Sequence, residues 1–90
     1  MRIKFERGGQ REFLDRVIEK LNSPSLRGLL QFGFSVNYSS LKNYYNEDRL
    51  LPEELFLELL EVSEISEEEL DVKRVHENWG QVKGGKKSKK

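Results

Sequence analysis

Residues 35–52 read SVNYSSLKNYYNEDRLLP, and the orientation of this stretch decides both the fold and the use of the chain. Asn37 has the right chemistry to cap a helix, because its side-chain oxygen can accept from an orphan N–H of the first turn. The residues that follow predict a helix over 38–46. With Leu41 turned inward and about 100° per residue, Tyr44 and Tyr45 flank it and Tyr38 lies near the same edge. Ser39, Lys42, Asn43 and Asn46 then fall on the far side, with Ser40 at its margin. That far side holds hydroxyl, amide and ammonium groups, and no acid occurs before Glu47. Such groups suit a nucleic acid, yet Ser, Asn and Lys are also ordinary solvated residues.

Upstream, Gln10–Asn22 places Phe13, Leu14, Val17, Ile18 and Leu21 at helical spacing. Ser23-Pro24 then gives a helix start, with serine as cap and proline at the first helical position, for a segment that buries Leu26, Leu29, Leu30 and Phe32. Downstream, Pro52-Glu53-Glu54 opens a fourth helix, with acids where its dipole favours them. Ser66 with Glu69 forms a capping box for a brief fifth helix near Leu70. The expected fold is therefore an all-α compact bundle of about five short helices, with short terminal strands as its only trimming. Such trimming would pair Val72 and Val75 with residues 2–6. The domain spans 1–79, its core about 10–71, followed by a flexible lysine-rich tail at 80–90.

Net charge is zero over the 90 residues, but the signs are segregated. Residues 1–46 carry eight Lys/Arg against four Asp/Glu, residues 47–79 three against twelve, and residues 80–90 five lysines and no acid. A molecule so divided can turn one side toward a polyanion and hold the other away. There is no cysteine, which removes disulfides and thiolate metal sites. No apolar run reaches membrane-spanning length and no signal-peptide core opens the chain, so a cytoplasmic location away from membranes is expected. His76 is the only histidine, with no second nitrogen or sulfur ligand to share a metal. No nucleophile elbow or phosphate-binding glycine pattern occurs. Neither an enzyme nor a cofactor is expected.

The pair of short helices joined by a tight turn, the second facing outward and followed by "DRLLP", resembles the helix-turn-helix of phage repressors and their Cro- or Xre-like relatives. Leu30, Phe34, Val36, Leu41 and Tyr44 carry that resemblance. More narrowly, "YSSLKNYYNEDRLLPEELFLELLE" followed by "ENWGQVKGG" is similar to small archaeal helix-turn-helix segments, some attached to homing-endonuclease domains. The resemblance implies a double-stranded DNA partner, with helix 38–46 in the major groove. It sets Arg27 and Gln31 near the backbone and makes Asn37, Tyr38, Ser39, Ser40, Lys42 and Asn43 the reading surface, with Asn46 at its end. A role in transcription regulation, as repressor-like regulator or accessory factor, follows as an expectation. Gln31 and Ser35 stand where the motif usually has a small residue and a glycine, which implies a longer turn. Two other readings compete. One is a protein-interaction module using Tyr38, Tyr45 or Leu57, where Leu57 is either a homodimer contact or a buried position. The other is an RNA or single-strand binder using Trp79 and the lysine tail.

Overall fold

Ile3 and Phe5 alternate with charged residues, and in the computed structural model, which describes residues 1–76, they face inward from a strand. This strand, β1 (Arg2–Phe5), is the centre of a three-stranded sheet of order β2-β1-β3. On one side it pairs antiparallel with β2 (Leu51–Pro52), setting Ile3 against Leu51. On the other it pairs antiparallel with β3 (Val72–Val75), from Arg2↔Val75 to Phe5↔Val72. The chain is thus mixed α/β, and the all-α bundle expected from the sequence is incorrect. The physical reason lies in Leu51 and Ile3, both fully buried. Leu51 is hidden by pairing with β1, not by entering a helix, and Pro52 becomes the cap residue of the next helix instead of its first turn.

Helix α1 (Gly9–Lys20) buries Phe13, Leu14 and Val17. It enters through Gly8 at φ 82°, a left-handed conformation that glycine adopts without steric cost. Helix α2 (Tyr38–Tyr45) follows the Asn37 cap, and α3 (Glu53–Ser63) buries Leu55, Phe56 and Leu59. Phe5, Phe13 and Phe56 meet with ring centroids 5.5–6.0 Å apart, so one aromatic cluster ties the sheet to α1 and α3.

Two expected α-helices are shorter and tighter. The segment after Ser23-Pro24 is a 3-10 helix over Arg27–Phe32. Ser25, not Ser23, offers its hydroxyl to the Gly28 N–H, at 3.2 Å. The chain doubles back so closely that a Cβ on Gly28 would lie 2.4 Å from Ser23 Oγ. Six residues between Leu26 and the left-handed Gly33 are also too few to sustain an α-helix. The expected fifth helix is a single 3-10 turn, Glu67–Glu69, though its Ser66–Glu69 capping box is formed. Among the described residues no helix is long and apolar enough to cross a membrane. Trp79 and the lysine tail lie outside the described residues.

Candidate nucleic-acid interface

The orientation of α2 is set by what its core side chains require. Leu41 and Tyr44 are 1% and 5% exposed and join the main hydrophobic core. Ser39, Lys42 and Asn46 are exposed, while Tyr38, Ser40, Asn43 and Tyr45 are half-buried. The outer side therefore fans from the two tyrosines through Lys42 to a crest of Ser39, Asn46 and Asn43.

Gln10, Arg11 and Glu58 from other parts of the chain, with Glu47 just beyond the helix, hold α2 in that attitude. Gln10, on the first turn of α1, is 3% exposed. Its Nε2 donates to the carbonyls of Tyr44 and Arg49, each at 2.7 Å, and its Oε1 accepts from the Leu51 N–H at 3.4 Å. One interior amide thus joins the end of α2 to the loop and to β2. Arg11 and Glu47 add a reciprocal pair of caps. The Arg11 guanidinium donates to the Tyr45 carbonyl and to Asn46 Oδ1, both at 3.2 Å, at the C-terminus of α2 where cations are favoured. Glu47, whose backbone is left-handed at φ 65°, accepts from the Gly8 and Arg11 N–H groups at 3.1 Å, at the N-terminus of α1 where anions are favoured. On the entry side, both carboxylate oxygens of Glu58 on α3 accept from Ser35, from its N–H and its hydroxyl, at 3.2 Å. That bond pins the turn ahead of α2.

Of the residues the sequence nominated, Arg27, Tyr38 and Lys42 come together. Arg27 Cζ lies 5.1 Å and Lys42 Nζ 5.7 Å from the centre of the Tyr38 ring. Gln31 shares a shallow depression with Arg27, Pro24 and Ser25. Asn37 and Asn46 have structural duties: Asn37 Oδ1 accepts from the Ser40 N–H at 2.8 Å, and Asn46 Oδ1 accepts from Arg11. Their side-chain carbonyls are engaged within the chain, and the amide N–H groups are the donors each side chain carries besides. Ser39 and Asn43, one turn apart, are the centre of the crest.

Arg11 mirrors Arg27 at the other end of the helix, its Cζ 4.8 Å from the centre of the Tyr45 ring. The Tyr45 hydroxyl donates to Asp15 at 2.8 Å. That bond, helped by burial and by the Asp15 charge and opposed by Arg11, raises the Tyr45 pKa above the ordinary phenol value. Three acids on other elements are held in ion pairs. Arg74 bridges Glu53 and Glu67, and Arg16 pairs with Glu69. Hydrogen bonds from these arginines hold the Glu67 and Glu69 carboxyls below the usual carboxylate range.

Sequence reasoning missed Gln10, Arg11 and Glu47. Gln10 did carry a signal, since it precedes Phe13, Leu14 and Val17 by three, four and seven residues and so lies in the apolar stripe of α1. Arg11 and Glu47, 36 positions apart, carried none. Leu57 is 47% exposed, which removes the reading of it as a core position. Comparison with protein-family models, with curated proteins and with solved structures gives no match.

Proposed function

We propose that the chain binds double-stranded DNA, with α2 docked in the major groove, and serves as a transcription regulator or an accessory factor to a larger DNA-acting assembly. The observation that carries this reading is the attitude of α2. Its apolar side chains are consumed by the core while an acid-free surface of Ser39, Lys42 and Asn43 turns outward. Asn can pair bidentately with adenine, serine can meet base edges, and lysine can meet guanine or phosphate. Partial neutralisation of the acids supports the same docking, because Glu53, Glu67 and Glu69 are paired with arginines. The reading keeps the likeness to repressor-type helix-turn-helix proteins with several differences: the element before the recognition helix is 3-10, not α, the fifth helix is a single 3-10 turn, and a three-stranded sheet joins the helices.

Titration of duplex DNA at two salt concentrations tests it. Lys42→Ala and Asn43→Ala are each expected to weaken binding while leaving the melting temperature within a few degrees. Asn43→Ala loses discrimination of about 1–3 kcal/mol if it pairs with a base, and Lys42→Ala loses affinity evenly across sequences. Unchanged affinity in both variants rules out the assigned face. Retained binding that instead disappears on removal of residues 80–90 moves the function to the tail.

A further inference from the structure

Tyr38 and Tyr45 are the first and last residues of α2. Seven positions make almost two full turns, so both rings project from one flank, about 10 Å apart along the axis. Lys42 lies on that flank between them. Each ring carries an arginine from a different element: Arg27 from the 3-10 segment over Tyr38, and Arg11 from α1 over Tyr45. Three cations therefore stand beside the Ser39–Asn43 crest, Arg27 and Lys42 over the Tyr38 ring and Arg11 over the Tyr45 ring. The hydrogen bonds of Arg11 to Tyr45 and Asn46 use Nε and one Nη2 hydrogen, and a guanidinium has three further N–H donors. On the opposite flank α2 itself offers Tyr44, which is buried, and Ser40, which is half-buried and uncharged.

We infer that this flank is a track for the sugar-phosphate backbone of duplex DNA, in which Arg11, Lys42 and Arg27 each meet a phosphate while the adjoining crest faces the bases. The inference rests on the DNA-binding reading and adds to it a contact, Arg11, and a sidedness. Phosphate is the fitting ligand because planar guanidinium groups match its oxygens, and because stacking on a ring holds each fork in place before the ligand arrives. Asp15, on the Tyr45 hydroxyl, is the one acid bonded to the tyrosine pair, and it opposes a phosphate there.

The experiment is the salt dependence of binding to a random-sequence 20-base-pair duplex, since log K falls with log salt by about 0.9 for each phosphate contact. Arg11→Gln, Lys42→Gln and Arg27→Gln are each expected to reduce the slope by about 0.9, whereas Lys73→Gln, on the sheet, leaves it unchanged. Arg11→Lys keeps the slope although it loses the caps on α2, which separates charge from structure. Asp15→Asn, which leaves the caps in place, is expected to tighten binding several-fold at low salt. Normal slopes for Arg11→Gln together with unaltered affinity for Asp15→Asn would overturn the track while leaving DNA binding intact. Absence of salt-dependent duplex affinity in the unaltered chain overturns the DNA reading and the track together.

Discussion

Leu41→Ala is expected to destabilise the protein by about 2–5 kcal/mol, the range for removing a buried leucine and leaving a cavity. Leu41 is 1% exposed and belongs to the same cluster as Leu29, Leu14 and Val17. A chain of 90 residues has a small core and a limited stability, so a loss of this size leaves a substantial unfolded population at 37 °C. Its neighbour Lys42 points outward, and Lys42→Ala is expected to change stability by less than about 0.5 kcal/mol. Urea unfolding of the two variants checks the pair. Equal stabilities would mean that α2 is rotated from the attitude described.

Gln10→Met is expected to have the second large effect. Methionine fills nearly the same volume, so the core remains packed and the loss is almost purely polar. The substitution removes the partner of the Arg49 carbonyl and of the buried Leu51 N–H, while the Tyr44 carbonyl keeps its bond from the Glu47 N–H at 3.1 Å. Each buried group left without a partner costs about 1–3 kcal/mol, and with partial hydration of the loop a total of about 2–4 kcal/mol is expected. Because the amide joins α2 to β2, amide exchange should accelerate at Leu51 and through the last turn of α2 more than in α3. A loss confined to a few tenths of a kcal/mol would show that the amide is solvated and does not fix the helix.

Most parts of this fold that were legible in sequence are those governed by local rules. The apolar spacing of Phe13, Leu14 and Val17, the Asn37 cap and the Ser66–Glu69 box each depend on residues within two turns of one another, and each forms. Of the sheet, the pairing of Val72 and Val75 with residues 2–6 was readable and forms, but β2 was not, because it is two residues long and its partner lies 48 positions away. Leu51-Pro52 satisfies a helix-start pattern as well as an edge pairing, and only the tertiary burial of Ile3 chooses between them. The 3-10 form of Arg27–Phe32 depends on a close approach of Gly28 to Ser23 that residue types alone do not announce. Of the candidate interface, the outward side of α2 was readable from its period. Its supports were not, since Arg11 reaches Tyr45 and Asn46, and Glu47 reaches Gly8, across 34 to 39 positions.

The central claim is that the Ser39 side of α2 faces DNA, and a single added charge tests it most directly. Duplex affinity should be measured for Ser39→Asp and for Val62→Asp, the latter an exposed position on acidic α3. Both variants introduce the same negative charge at a solvated site. The account predicts a loss of at least about tenfold for Ser39→Asp, equivalent to 1.4 kcal/mol, and little change for Val62→Asp. Equal losses in the two variants, or a greater loss at Val62, would contradict it.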